Sequence, residues 1–442
     1  MNTHPRTIVV LGAGYVGLVT AAGLAAAGHR IRLVEKSADR LSVLREGHIP
    51  IHEEGLQSAV NLALAEGRLE ILDAPPSEPP DLALICVGTP IGDDGLIDLG
   101  QLRSALADVR PMLEAGTTLV IRSTLPVGTT RMVVSEAGIP LARTFTNPEF
   151  LRQGTALADF RAPARAIVGR FPEADPEAQA VVVDALVPPG VPTMIVAVTE
   201  AETIKNGSNA FLALKLSFTN ELAGLCERYG ADADIVLEGI GRDPRIGRSY
   251  LRPSFGFGGS CLPKELKSIA AAGEHVGLQM HIAAAANEAN GSHQLRFVER
   301  IAAATGGLPG RRVALLGLAF KAGTDDIRSS PAMNVARLLT EAGADLIAHD
   351  PEAAPNASRE FPGLALASTP FEALRGAEVA VIATEWPVYR ELDWGAAGEL
   401  MARRVIVDGR RLLDPIHIAA LGFDLWALGS PDPAVAISER VW

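Results

Sequence analysis

The apolar run Thr7–Leu11 passes directly into Gly12-Ala13-Gly14-Tyr15-Val16-Gly17, a pattern that restricts the fold sharply. A strand that turns at once into a helix needs Gly12 for the tight turn and Gly17 for close helix packing. Gly14 leaves the backbone bare where a pyrophosphate approaches. The free amides at the helix start, including those of Tyr15 and Val16, then face the phosphates. Glu35 closes the next apolar run, 18 residues after Gly17, where a carboxylate accepts from ribose hydroxyls and repels a 2′-phosphate. The expected ligand is therefore NAD, with NADP left open by Lys36 beside that acid.

Strand-like and helical segments alternate from this point on. Residues 31–34, 82–87, 118–121 and 166–168 are short apolar or β-branched runs suited to a parallel sheet buried on both faces. Residues 16–27, 38–46 and 99–114 carry helical spacing between them. A long helical stretch, 199–229, opens on Thr199-Glu200-Ala201-Glu202 in the manner of a capping box. After Thr305-Gly306-Gly307-Leu308-Pro309-Gly310 a second series begins, with strands expected at 312–316, 344–348, 379–383 and 405–407. The expected fold is α/β: two Rossmann-like, doubly wound parallel-sheet domains joined by a long central helix and a helical middle domain. The expected boundaries are 1–198, 199–305 and 306–442.

A net charge of −12 makes nucleic acid an unsuitable partner, and an anionic ligand would need locally gathered arginines and lysines. No uninterrupted apolar run reaches membrane-spanning length, and the first residues lead straight into a strand, so neither a membrane nor a leader is expected. Three scattered cysteines without a CxxC pair argue against a disulfide framework and a structural zinc, which suits a reduced cytoplasmic setting with no metal.

Of those cysteines, Cys261 has the most suggestive setting. It follows Phe257-Gly258-Gly259-Ser260 and precedes Leu262-Pro263-Lys264, where a helix is expected to start. The positive end of a helix and a nearby lysine favour a thiolate. A nucleophilic thiol in a dinucleotide-binding chain suggests oxidation of an alcohol or aldehyde to an acid through a thioester. Two glycine- and proline-bearing loops, Val87-Gly88-Thr89-Pro90 and Ser123-Thr124-Leu125-Pro126-Val127-Gly128-Thr129, follow strands and offer hydroxyls beside the nicotinamide. Glu149 lies in the turn Asn147-Pro148-Glu149-Phe150-Leu151, and Lys205 and Asn209, four apart, share one face of the long helix. Arg245 and Arg252 lead towards the cysteine loop. Each has a plainer reading: Glu149 as a cap, Lys205 as a solvated charge, Cys261 as a small core residue.

Taken in order, these segments resemble the UDP-glucose 6-dehydrogenase family, nucleotide-sugar dehydrogenases that convert a C6 hydroxymethyl to a carboxylate with two NAD⁺. The resemblance runs nearly end to end. It also takes in Gly47-His48-Ile49-Pro50-Ile51, Gly154-Thr155-Ala156 with Asp159-Phe160, the segment 205–221 and Asp243-Pro244-Arg245-Ile246-Gly247. Further on it includes Gly317-Leu318-Ala319-Phe320-Lys321, Thr324-Asp325-Asp326-Ile327-Arg328, Thr384-Glu385-Trp386 and Asp408-Gly409-Arg410. The resemblance implies that Cys261 is the nucleophile, that Lys205 and Asn209 hold the C6 oxyanion, and that Glu149 with Thr124 positions the hydrolytic water. It assigns Thr89, Thr124 and Arg328 to the cofactor. Phe150, Leu151, Lys205 and Asn209 go to the sugar nucleotide, together with Tyr250, Leu251, Arg252, Ser254, Phe257, Gly258, Phe320, Lys321 and Arg410. Arg245 is implied to reach the ligand from the neighbouring subunit of a homodimer built on the long helix.

Two positions depart from the family pattern: Glu265 stands where an aspartate is usual, and Gln153 where a second glutamate is common. UDP-glucose is the expected substrate, with GDP-mannose or a UDP-N-acetylhexosamine as alternatives within the class, and a non-catalytic sugar-nucleotide sensor as an alternative outside it.

Overall fold

The computed structural model describes residues 5–92, 97–114 and 116–431. The first four residues, on which the expectation of a leaderless start rests, lie outside the described residues, as do residues 432–442 of the expected third domain. The chain divides into two compact units, Met1–Ser208 with Ala271–Gly277, and Asn209–Ala270 with Leu278–Trp442.

The first unit is built on a sheet whose strands are β1 (Thr7–Leu11), β2 (Arg30–Val34), β3 (Leu69–Leu72), β4 (Leu82–Ile85), β5 (Thr118–Ile121), β6 (Thr144–Thr146), β7 (Ala166–Arg170) and β8 (Thr193–Ala197). Their spatial order is β3-β2-β1-β4-β5-β6-β7-β8, a Rossmann order extended at one edge. Period-2 geometry sends Ile8, Val10, Leu82 and Leu84 to one core layer and Val9, Leu11, Ala83 and Ile85 to the other. Both faces are covered, which is why these strands are continuously apolar rather than alternating.

One expectation is corrected: the run at 166–168 does not extend a fully parallel sheet, because β7 pairs antiparallel with β6. The connection between them carries only the short helix Ala156–Arg161 and never crosses the sheet. An antiparallel return needs no crossover, and it leaves 147–165 at the carboxyl edge, where ligands bind in such sheets. At the pairing point a Cβ on Gly169 would meet Thr146 Oγ1 at 2.2 Å.

The second unit carries β9 (Arg312–Leu316), β10 (Asp345–His349), β11 (Ala365–Leu366), β12 (Val379–Ile382), β13 (Val405–Asp408) and β14 (Asp424–Ala427). Their order, β11-β10-β9-β12-β13-β14, repeats the Rossmann arrangement, with every neighbouring pair parallel. β3, β6, β8, β11 and β14 receive no range in the sequence reading; they span two to five residues, lengths at which a period registers weakly.

A helix of 32 residues, Val198–Tyr229, runs from the end of β8. It starts one residue before the expected capping box, and Glu200 accepts from the backbone N–H of Ala197 at 2.8 Å. The cap is set by β8 running directly into the helix, so Thr199 is already inside it. Helices Ala233–Gly241, Leu262–His275 and His281–Thr305 follow. The architecture is thus two parallel-sheet α/β halves with a long central helix.

Candidate active site

The dinucleotide turn has the geometry its glycines imply. Gly12 adopts φ +96°, and its N–H donates to Val34 O at 2.8 Å. A Cβ on Gly17 would stand 1.8 Å from Gly12 O, whereas one on Gly14 would meet nothing within 4 Å. The turn is therefore closed on its packing side and open on its outer side, a cradle that suits a pyrophosphate. Glu35 is buried at the end of β2; one carboxylate oxygen accepts from Ala13 N–H at 3.0 Å and the other from Ser37 N–H at 2.8 Å. Lys36, the residue that left NADP open, is ion-paired with Asp108 at 2.6 Å and bonded to Ser104 Oγ at 3.1 Å. Its charge is spent on a neighbouring helix, and these residues fit NAD.

Below Tyr15 lies an acid the sequence reading passed over. The Tyr15 hydroxyl donates to Glu53 in a short hydrogen bond, and Glu53 also accepts from Gly154 N–H at 2.6 Å and Ala156 N–H at 2.7 Å. Burial, followed by this carboxylate, pushes the Tyr15 hydroxyl up and keeps it protonated. One buried glutamate thus ties the dinucleotide turn to the loop that follows Glu149. Its neighbour Glu54 is exposed, and nothing in His52-Glu53-Glu54-Gly55 alone separates the two.

The two hydroxyl-bearing loops are joined, Thr89 Oγ1 donating to Thr124 O at 3.0 Å. The second loop is gripped by the long helix. Glu202 accepts from the N–H groups of Gly128 and Thr130 at 2.6 and 2.8 Å, and Asn206 Nδ2 donates to Leu125 O at 2.8 Å. Burial raises the Glu202 carboxyl despite those amides. A small cavity between loop and helix is lined by Ser123, Thr124, Thr130, Thr146, Glu202 and Lys205 among others.

Lys205 is neither solvated nor loose. Its Nζ donates to Glu149 O at 2.7 Å and to Glu149 Oε1 at 3.3 Å, while Glu149 Oε2 accepts from Leu151 N–H at 2.6 Å. Both side chains are buried, at 4% and 7% exposure, and the ammonium sits 5.2 Å from the Phe150 ring centroid. The structure therefore brings Glu149, Phe150, Lys205 and Thr124 into one cluster of the first unit. Asn209 is half-buried one turn along the same helix.

In the second unit, Cys261 is an exposed thiol immediately before helix Leu262–His275, and its carbonyl accepts from Glu265 N–H at 2.9 Å. The reading of Cys261 as a core residue is excluded. The paired glycines before it are required by packing. A Cβ on Gly258 would fall 2.2 Å from Ser329 O, and one on Gly259, at φ +80°, would press on the Phe320 ring at 3.0 Å. Gly259 N–H donates to Arg328 O at 2.9 Å, so the 325–330 loop backs the cysteine loop. The Arg328 guanidinium is held above its usual range chiefly by its bond to Asp326, with Cys261 a smaller influence in the same direction. Glu265 is fully buried one turn into the helix.

The residues expected to wrap the nucleotide divide into anchors and open groups. Ser254 N–H donates to Asn220 Oδ1 at 2.9 Å, and Phe257 exchanges hydrogen bonds with Asn290 at 2.9 and 3.0 Å. Tyr250 adopts φ +64° and is partly exposed, and Leu251 follows it half-buried. Arg252 donates to Arg411 O at 2.7 Å. Arg410 donates to Ala383 O and Phe320 O at 2.8 and 2.9 Å and pairs with Glu385 at 3.2 Å. Its guanidinium is largely spent on bracing the Phe320 turn, while Lys321 lies 5.6 Å from the Phe320 ring. Arg245 extends into solvent, 87% exposed, in an ion pair with Asp243.

The second sheet also has a glycine turn, and an acid holds it too. Gly317 adopts φ +106° and donates to His349 O at 2.7 Å, as Gly12 does to Val34. Asp350 occupies the position corresponding to Glu35 and, as Glu35 does from Ala13, accepts from the turn amide of Leu318 at 2.7 Å; it also accepts from Ala319 N–H and from Trp386 Nε1, each at 3.1 Å. Asp350 thus takes two amides of this turn where Glu35 takes one of the first.

Comparison with known proteins agrees with this arrangement. Residues 6–186 match the UDP-glucose/GDP-mannose dehydrogenase family, NAD binding domain, residues 199–292 its central domain, and residues 314–415 its UDP binding domain. A UDP-glucose 6-dehydrogenase of Pseudomonas aeruginosa is 36% identical, over 96% of this chain and 97% of its own length. One from Rhizobium meliloti is also 36% identical, over 96% and 100%. Among solved structures, a UDP-glucose dehydrogenase of Pyrobaculum islandicum superposes with TM-score 0.84 at 37% identity, covering 93% of this chain and 97% of that one. A UDP-D-ManNAc dehydrogenase of Pyrococcus horikoshii has TM-score 0.82 at 24% identity over 96% and 99%, a likeness of fold. Among the described residues no helix is long and apolar enough to cross a membrane. The chain belongs to the UDP-glucose/GDP-mannose dehydrogenase family and is an NAD-dependent nucleotide-sugar dehydrogenase.

Proposed function

We propose that the chain oxidises C6 of UDP-glucose to the carboxylate of UDP-glucuronate. In this reading residues 1–198 hold NAD, residues 199–305 carry the reacting thiol and residues 306–442 hold the UDP moiety. The observation that carries the mechanism is Cys261, an exposed thiol at a helix start behind two glycines that cannot bear a side chain. Bound NAD⁺ supplies the hydride acceptor, two being reduced per sugar. Cys261 adds its sulfur to the C6 aldehyde, giving a thiohemiacetal, and the second oxidation leaves that carbon as a thioester. Water adds to the thioester carbonyl, the C–S bond breaks, and the carboxylate and a proton leave the restored thiol. Lys205 and Asn209 stabilise the oxyanion, Glu149 and Thr124 position the water, and Glu265 handles a proton beside the thiol. Thr89 and Arg328 contact NAD, and Lys321, Arg410 and the 250–258 loop contact the nucleotide.

Relatives named for UDP-glucose at 36–37% identity, against 24% for the UDP-D-ManNAc enzyme, support this substrate over an N-acetylhexosamine. Three free cysteines support a reducing, cytoplasmic setting. A homodimer through the long helix, with Arg245 of one subunit reaching the partner's ligand, is supported by a stripe of exposed apolar side chains: Phe211 at 61%, Phe218 at 54%, Leu225 at 51% and Tyr229 at 64%.

Purified protein is expected to release two NADH per UDP-glucose, with GDP-mannose and UDP-N-acetylglucosamine run in parallel, and Cys261→Ser to form no acid. One NADH per sugar with an aldehyde product would refute the thioester route. Phe218→Asp is expected to halve the mass measured by light scattering; a wild-type mass would remove the helix from the dimer interface.

A further inference from the structure

Arg122 lies at the end of β5, one residue before the Ser123-Thr124 loop, and it is only 7% exposed. Among the described residues no carboxylate pairs with it. Its Nε donates to Thr20 Oγ1 at 3.2 Å, its NH1 donates to Asn147 Oδ1 in a short bond, and its guanidinium lies 5.7 Å from the Phe160 ring centroid. Burial lowers its pKa, opposed by the Cys86 thiol and the Glu149 carboxylate. That thiol is itself buried and pushed up to about 12, so it offers little compensating charge. A buried cation without a paired anion is costly, so its presence calls for a purpose.

The geometry supplies one. Thr20 lies on the helix of the dinucleotide turn, Tyr15–Ala26. Asn147 opens the turn that carries Glu149. Asn147 N–H donates to Ile121 O at 3.0 Å and its Nδ2 to Ile167 O at 2.8 Å. Its Oδ1 is the remaining free arm, and Arg122 takes it. The residues after β6 thus hang between β5 and β7 with one cation fixing them to the cofactor helix. The carboxylate charge that acts on that cation is Glu149.

We propose that Arg122 is a positioning residue for thioester hydrolysis: it clamps Asn147, and through it the Pro148-Glu149 turn, against the cofactor helix. This rests on the function proposed above. Without the clamp, the Glu149 carboxylate loses its register against Lys205, and water addition to the thioester carbonyl slows. The two hydride transfers, which need no activated water, continue until the thioester on Cys261 accumulates.

The test compares Arg122→Met, Arg122→Lys and Thr20→Val with wild type, using saturating UDP-glucose and NAD⁺. For Arg122→Met, kcat is expected to fall about 30- to 100-fold with both KM values within about threefold, the pattern of an interaction lost after binding. Intact-mass spectrometry of the quenched enzyme is expected to find the sugar-nucleotide acyl adduct on Cys261, absent from wild type. Arg122→Lys, which keeps the charge, should recover most of kcat and lose the adduct. Thr20→Val should show a smaller fall with the adduct present, and it keeps the test alive if Arg122→Met does not fold. Hydrogen exchange without ligands should be faster across residues 145–155 in Arg122→Met. An adduct-free fall in kcat, unchanged exchange there, or a lysine variant as impaired as the methionine variant would overturn the clamp. Wild type that makes no NADH from UDP-glucose would instead refute the proposed function, and the exchange experiment still judges the clamp.

Discussion

Lys205→Met separates what the buried Lys205–Glu149 pair does for the fold from what it does for catalysis. The two side chains are 4% and 7% exposed, with Nζ 3.3 Å from the carboxylate and 2.7 Å from the Glu149 carbonyl. Methionine fills a similar volume, so little cavity energy enters. The loss is the charge partner: breaking a buried pair strands the other charge at about 3–5 kcal/mol, and the carbonyl loses a donor worth about 1 kcal/mol. Unfolding of the first unit should therefore ease by about 4 kcal/mol, a fall of roughly 10 °C in its melting temperature. Glu149→Gln in the same chain removes the stranded charge, so the double variant should recover most of that loss. Activity should not recover: kcat should stay about 10²- to 10³-fold down in both, as for loss of an oxyanion donor. Urea unfolding followed by fluorescence, with NADH production on the same samples, measures both. A single variant costing under about 1 kcal/mol, or a double variant equal to the sum of the singles, would refute the coupling. A Lys205→Met enzyme with wild-type kcat would refute the oxyanion role.

Two further outcomes follow from the geometry. Gly17→Ala would put a Cβ 1.8 Å from the backbone oxygen of Gly12, so turn and helix must part; NAD binding by fluorescence titration should weaken at least about tenfold, and unchanged affinity would contradict the turn's assigned role. His293 is buried with Nε2 2.8 Å from Ser254 O, and burial lowers its pKa to about 4 from 6.5. Because the folded state resists the proton, the contribution is whole above pH 6.5 and is lost as pH falls towards 4, roughly 3 kcal/mol in all. His293→Gln should flatten the stability profile across that window, and an unaltered acid slope would show that the proton goes elsewhere.

How far each feature was legible depends on the length of chain it spans. The Gly12–Gly17 turn, the alternating elements and the start of the Leu262–His275 helix are local, and the expected segments reappear in the structure within a residue or two. The strand partners of 166–168 were not legible, because pairing direction depends on whether the intervening loop crosses the sheet. The helix start expected at Thr199 was late by one residue, since β8 leads straight into the helix.

The site divides in the same way. Residue types and spacing along this chain determined a dinucleotide cradle, an exposed thiol ahead of a helix, and a lysine and asparagine on one helical face. Only the tertiary structure decided which charges meet. Lys205 finds Glu149 across 56 positions and Glu53 finds Gly154 across 101. Asp350 fills the second turn and Arg122 takes Asn147, although neither stood out in its own segment. Backbone propensity acts over a few residues and is written locally. Charge partners are selected by burial, where an unpaired polar group is penalised wherever its partner lies in the chain.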